Sequence, residues 1–201
     1  MDIEDAKRRM TAPLQKGVTV DLRGIVFNHP LDLGGTQLGN CDLTGALFAA
    51  PVNFRGATFG GLAWFKDCRF DSSADFSEAV FENDARFDRA SFSDGVAFNR
   101  AEFRGVGAFD GTNFSVHAEF VAAIAFGNLS FANARFWGAL SLRDTQCLGG
   151  LWMQGARIDG RSDFQGVEVH GRTWLRDIRH PNAGAAERAA RGITSYGYRW
   201  T

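Results

Sequence analysis

The stretch Ala74-Asp75-Phe76-Ser77-Glu78-Ala79-Val80-Phe81-Glu82-Asn83-Asp84-Ala85-Arg86-Phe87-Asp88-Arg89-Ala90-Ser91-Phe92 places phenylalanine at intervals of five, six and five residues. The alternation runs unbroken through thirteen phenylalanines, Phe54, Phe59, Phe65, Phe70, Phe76, Phe81, Phe87, Phe92, Phe98, Phe103, Phe109, Phe114 and Phe120. Two residues before most of them stands a small residue: Ala57, Ala63, Cys68, Ala74, Ala79, Ala85, Ala90, Ala101, Gly107 and Ala118. A strand repeats every two residues and a helix every ~3.6, so this longer period belongs to neither. It belongs to a solenoid in which each short segment is one side of a coil.

Outward from that stretch the series continues back through Phe48, Leu43, Leu38, Leu33, Phe27 and Leu22. It continues forward through Phe131, Phe136, Leu142, Cys147, Met153, Ile158, Phe164, Val169 and Leu175. One position is open. Strict alternation puts Ala125 at a centre and leaves a thin spot in the stack, whereas hydrophobicity prefers Phe126, swung inward through a local bulge. Four sides per coil gives roughly seven coils and, at ~4.8 Å per strand-to-strand step, a rod ~34 Å long.

Ala74-Asp75-Phe76-Ser77-Glu78 and Ala79-Val80-Phe81-Glu82-Asn83 resemble pentapeptide repeats, whose pattern is a small residue, a polar one, Leu or Phe, and two variable residues. The resemblance covers about Val20 to Leu175. It implies an all-β solenoid, a right-handed quadrilateral β-helix with the small and central residues inward. The departure is a sixth residue on every second side, which makes an eleven-residue unit and a 22-residue coil. The extra residues fall in two corner columns, Leu62, Asp84, Val106, Asn128, Gly150, Arg172 and Ser73, Gly95, His117, Ala139, Arg161, where small bulges are expected.

Burying a phenylalanine contributes roughly 1.5–3 kcal/mol, while ordering each residue costs roughly 1–2 kcal/mol. A single coil therefore does not stand alone, and stability comes from stacking. Both ends of such a stack expose strand edges that need caps. Residues 1–19 read as an N-terminal helical cap or arm, with acids early and bases late in Asp2–Met10. Residues 20–178 read as the β-helix. Residues 179–201 read as a capping or dimerising segment: a helix over Ala183–Gly192 after Pro181, then the aromatic tail Tyr196-Gly197-Tyr198-Arg199-Trp200.

With 201 residues and 45% hydrophobic content the chain reads as one folded domain. No apolar run approaches the ~18 residues of a membrane span, and the N-terminus lacks a signal-peptide hydrophobic region. A cytoplasmic protein with no membrane partner is the expectation. Cys41, Cys68 and Cys147 fall on inward positions and read as small core residues. His29, His117, His170 and His180 have no metal spacing, and no nucleophile elbow, phosphate loop or dinucleotide fingerprint is present. The expectation is a non-enzymatic chain without metal or cofactor.

What remains is the outside of the rod. Net charge is −1 but uneven: residues 71–119 carry ten acids and four arginines, whereas 157–201 carry eight bases and five acids. The candidate acidic surface comprises Asp75, Glu78, Glu82, Asp84, Asp88, Asp94, Asp110 and Glu119, read either as ordinary solvation or as a surface aimed at a basic partner. Trp64, Trp152 and Trp174 occupy the same side of the coil, and Trp152 and Trp174, one coil apart, should be neighbours. Trp152, Trp174, Tyr196, Tyr198 and Trp200 form the candidate aromatic surface, covered by the chain's own tail or by a partner or second copy. The resemblance implies an interaction scaffold binding a protein partner. Its sharper form is a homodimeric DNA mimic, joined through the C-terminal region, that occupies the basic saddle of DNA gyrase or another type II topoisomerase and takes up no nucleic acid itself. An accessory module of a toxin, defence or secretion assembly is the other form.

Overall fold

The computed structural model describes residues 3–13, 17–180 and 191–200. Short parallel strands stack into four sheets around one core, a quadrilateral β-helix with one N-terminal helix, Ile3–Met10. The first face has nine strands, from Val20–Asp21 to Arg199–Trp200, and the second has seven, from Val26–Phe27 to Arg157–Ile158. The third has seven, Leu31–Asp32 to Ser162–Asp163, and the fourth eight, Gln37–Leu38 to Ile193–Ser195. The solenoid thus has about eight turns, one more than the repeat count gives, because the tail adds strands to the first and fourth faces. Pairing joins equivalent positions of successive coils, as in Ala74↔Val96 and Phe81↔Phe103.

The central residues fill the interior. Phe76 stacks on Phe98 at 4.8 Å and 7°, and Phe65 on Phe87 at 4.8 Å and 1°. Rings of different columns meet edge to face, as Phe76 and Phe87 do at 5.3 Å and 85°. Both are arrangements that the ring quadrupole favours. The small residues between them, such as Ala79, Ala85 and Ala101, are fully buried.

The alternation of five and six comes from two kinds of corner. After each centre on the first and third faces, the second residue is left-handed: Gly45 and Gly56, but also Asp67, Glu78, Arg89 and Arg100. The turn closes with an N–H donated back three residues, Ala79 to the Phe76 carbonyl at 3.1 Å and Ala90 to Phe87 at 3.0 Å, which is type II geometry. The other two corners carry the sixth residue. The expected bulges give way in the C-terminal coils to one more rung of ladder: His117 pairs with Ala139, Asn128 with Gly150 and Gly150 with Arg172. Coils approach closely there. A Cβ on Gly149 would lie 2.4 Å from the Gly127 carbonyl oxygen, and one on Gly138 would lie 1.3 Å from that of Val116.

Two irregularities have local remedies. The first coil is one residue shorter than those that follow, pairing Val20 with Cys41 and Gln37 with Thr58. Asn40 bridges the missing position, its side-chain amide donating to the Val18 carbonyl (2.9 Å) and accepting from the Leu62 N–H (2.8 Å). The second is Ala125, which points inward and is fully buried, while Phe126 is 48% exposed. No thin spot results, because Leu129 stands across the corner where the preceding coils have Gly107 and Ala85. Leu129 is fully buried, and the exchange of large for small repeats at Cys147 and Leu151.

The N-terminal helix caps the first coil. Ala6 and Met10 are buried in the core, Arg9 donates to the Asp21 carbonyl (3.0 Å), and the Met10 carbonyl accepts from Gly39 (3.1 Å). The helix expected over Ala183–Gly192 lies, but for its last two residues, outside the described residues. Beyond it the tail returns to the solenoid, where Val169 pairs with Ser195 and Trp174 with Trp200. The last coil is thus four residues longer than those between it and the first.

Candidate partner-binding surfaces

The eight candidate acids circle the rod instead of sharing one face. Asp75 and Glu119 stand on third-face strands, and Asp84 belongs to the corner leading into the first face. Three of the eight are neutralised locally. Glu78 meets Arg55 (2.6 Å) and Arg100 (3.6 Å), and Glu82 meets Arg104 (3.5 Å). Asp88, only 7% exposed, takes both arms of Arg86 at 2.9 and 3.0 Å. The other five accept from neutral donors: Asp75 from the Ser77 N–H, Asp84 from Val106, Asp94 from Gly95, Asp110 from Ser130 and Ala132, and Glu119 from the Asn99 amide. These five form a belt around the middle coils, carboxylates without a cationic partner among the described residues.

Ion pairing elsewhere follows the coil. Arg89 grips Asp67 one rung back with two 2.7 Å bonds, and Arg69 and Arg157 reach the aspartates two residues on. Hydrogen bonds from these arginines hold Asp67, Asp71 and Asp159 below the usual carboxylate range. The same cause, from Arg23, takes Asp21 down to about 2.

The aromatic candidates do come together. Trp152 and Trp174 pair in register with rings 5.6 Å apart. Trp200 continues the column at 4.8 Å from Trp174, and Tyr198 stacks on Trp200 at 5.6 Å. The chain's own tail therefore covers the C-terminal side of Trp174. The ladder stays open at its end, with Trp200 37% and Tyr198 77% exposed. Trp64 stands apart on the same face, with the Lys66 ammonium 5.2 Å from its ring centre.

A second column escaped the sequence reading. Phe126, Leu148, His170 and Tyr196 hold equivalent positions on successive fourth-face rungs, their N–H groups donating to Phe103, Ala125, Cys147 and Val169. Tyr196 stacks on His170 at 4.8 Å, and Phe126, Leu148 and Tyr196 are all exposed. The coil-length spacing of the first three was a usable signal; the longer last coil hid the fourth. On the second face Trp137, half exposed, lies under the Arg135 guanidinium at 3.3 Å.

A hollow of about 330 Å³ on the third face is lined by His117, Glu119, Arg161 and Asp163. The three thiols are buried, and burial pushes each up to about 12. Among the described residues no group of three or more His, Cys, Asp or Glu side chains could hold a metal ion, and no helix is long and apolar enough to cross a membrane.

A filled, four-sided solenoid with its distinctive chemistry outside defines a repeat-protein rod. Residues 33–80 and 54–102 match the family model described as Pentapeptide repeats (9 copies), so the chain carries pentapeptide repeats. Among solved structures, it is similar to HetL, a pentapeptide repeat protein involved in heterocyst differentiation regulation in the cyanobacterium Nostoc sp.. That match has 14% identity and a TM-score of 0.30, covering 89% of this chain and 94% of HetL. No curated protein matches the sequence.

Proposed function

We propose that this chain is a protein-interaction rod that engages a macromolecular partner through its outer faces. Pentapeptide repeat proteins are generally interaction scaffolds. The observation that carries the reading is the zoning of the exterior: a belt of unpaired carboxylates around the middle coils, with exposed rings confined to the C-terminal coils. A core of stacked phenylalanines gives the rod rigidity, so outward groups recur at fixed ~4.8 Å steps and bind without a large ordering cost. Affinity capture from source-cell extract tests it. Wild type should retain a partner that is lost on charge reversal of the belt or on alanine substitution of Tyr196, Tyr198 and Trp200; no partner enriched over an empty matrix would refute the reading.

The belt also supports a narrower reading, mimicry of DNA toward a basic saddle such as that of DNA gyrase. Its test is supercoiling inhibition by wild type against the variant with Asp75, Asp84, Asp94, Asp110 and Glu119 all changed to lysine. These five are chosen because reversing Glu78, Glu82 or Asp88 would also break an ion pair. Inhibition at micromolar concentration that disappears in the variant is expected, and no inhibition by wild type removes the mimic.

A further inference from the structure

The third face differs from the other three in what its strands turn outward. Its outward column carries Asp32, Asp75, Glu119 and Asp163, with Asn53, Ala97 and Ser141 on the rungs between, so a carboxylate stands on every second rung and a base on none. The equivalent column of the second face holds Arg69, Arg135, Arg157 and Arg179. That of the first face ends in tryptophans, and that of the fourth sets Val80 and Ile124 beside Glu102 and Glu168. The turn that follows each strand does not explain the acids. Asp32, Asp75 and Asp163 each accept, through Oδ1, the N–H two residues on at 2.8–3.0 Å, but Asn53 does the same for Arg55 at 2.9 Å without a charge. One oxygen of each carboxylate is left over. Oδ2 of Asp32 and Asp75, and Oε1 of Glu119, whose Oε2 accepts from Asn99, have no partner among the described residues, while Asp163 Oδ2 has Arg143 at 3.9 Å. Between Glu119 and Asp163 the face sinks into the hollow of about 330 Å³, over Ala139 and Ser141.

We propose that the third face docks a basic polypeptide segment in the polyproline II conformation, running along the rod with a lysine or arginine at every third position. This rests on the interaction-rod reading and names the face and the partner chemistry. Carboxylates two rungs apart are separated by about 9.6 Å. A polyproline II helix has three residues per turn and rises ~3.1 Å per residue, so every third side chain lies on one side of it, about 9.3 Å from the next. Over the six rungs from Asp32 to Asp163 the two periods drift apart by only about 1 Å, which a flexible cationic stem absorbs. A β-strand does not match, because side chains three apart point to opposite faces. An α-helix comes nearest with a seven-residue repeat of about 10.5 Å, and its side chains turn a further ~20° with each repeat. The residues between the cations, proline or another compact apolar residue, face the neutral rungs of Ala97 and Ser141 and the hollow over Ala139. A preformed polyproline II segment loses little conformational entropy on binding, so a rigid row of carboxylates suffices without a deep pocket.

The test uses the full chain and a fluorescein-labelled (Lys-Pro-Pro)4 peptide, read by anisotropy at 50 and 300 mM NaCl. The comparison peptide has the same composition and charge, with its four lysines in one block ahead of the prolines. Saturable binding of the spaced peptide, at least tenfold tighter than that of the block peptide and weaker at the higher salt, is expected. The Asp32→Asn/Asp75→Asn/Glu119→Gln variant should bind it at least tenfold more weakly. The Asp84→Asn/Asp110→Asn/Glu168→Gln variant, which removes as many charges from the first and fourth faces, should bind as wild type does. No saturable binding, equal affinity for the block peptide, or equal losses in the two variants overturns the proposal. So does tighter binding of a helical peptide with lysine at every seventh position. These failures leave the interaction-rod reading standing, since partner capture decides that reading.

Discussion

The exchange of Ala125 with Leu129 makes the packing of the core quantitatively testable. On the fourth face the column of centres runs Phe81, Phe103, Ala125, Cys147, and across the corner the small positions run Ala85, Gly107, Leu129, Leu151. A Cβ placed on Gly107 would meet Phe103 Cδ1 at 3.0 Å and Leu129 Cδ1 at 3.1 Å, so the leucine methyl already reaches the space beside the last ring of the column. Ala125→Phe alone asks a phenyl ring to share that space and should destabilise by ~1–3 kcal/mol through overpacking. Leu129→Ala alone leaves a cavity and should cost ~2–5 kcal/mol. The double variant recreates the Phe81/Ala85 coil and should lose less than either, a coupling of ~2 kcal/mol or more, well above the ~0.5 kcal/mol within which independent sites add. Urea unfolding followed by far-ultraviolet circular dichroism reads all four proteins. Losses that add in the double variant would mean that Leu129 does not fill the space of the missing ring.

Three further outcomes follow from the same geometry. Gly138→Ala, whose new Cβ would overlap the Val116 carbonyl oxygen at 1.3 Å, should lower the melting temperature far more than Asn113→Ala on the exposed second face; similar melting temperatures would contradict the close approach of the coils. Asp21, held at about 2 by Arg23, stabilises the fold above the unfolded aspartate value of roughly 3.9, and that contribution is lost as pH falls toward about 2. The melting-temperature gap between wild type and Asp21→Asn should therefore close across that window, and a gap unchanged down to pH 2 would refute the pairing. Cys41, Cys68 and Cys147, buried and pushed up to about 12, should ignore a disulfide reagent at pH 8 in the native protein and all react in denaturant; a native-state reaction at any of them would place it outside the core.

The interior was legible because one constraint acts at every side: a ring must enter, and a small residue must stand beside it. That produces a period, and a period survives without knowledge of neighbours. Ala125 was ambiguous for the opposite reason, since the residue that compensates it lies across a corner and changes size once, not periodically. The tail's columns were not legible because four extra residues break the register, so Trp200 and Tyr196 could not be assigned to the columns of Trp174 and His170. The acidic surface was only half legible. Glu78, Glu82 and Asp88 count as charges in the sequence, but Arg55 reaches Glu78 from the coil before, and Arg104 reaches Glu82 from the coil after. Only Arg86, on the same side of the same coil as Asp88, was close enough in the chain to be seen.

The rung spacing also explains why pairing is so nearly complete where it occurs. Like charges one ~4.8 Å step apart repel by about 1 kcal/mol even at the dielectric constant of water, and a rigid ladder cannot spread them. The second face meets this problem directly: Arg135 and Arg157 occupy consecutive rungs, and Asp159 lies between them, 3.4 Å from one and 2.8 Å from the other. Arg179 on the following rung has no such acid among the described residues. Arg161 and Arg172 belong to other columns, so their charges do not add to that ladder, and leaving them unpaired costs the fold little. Stability therefore does not require them to be neutralised. Nor does it require this of the five acids of the middle belt, since each already has its hydrogen bonds from neutral donors. The middle belt thus keeps its carboxylates out of ion pairs among the described residues, and the core that fixes their spacing takes no part in choosing what binds.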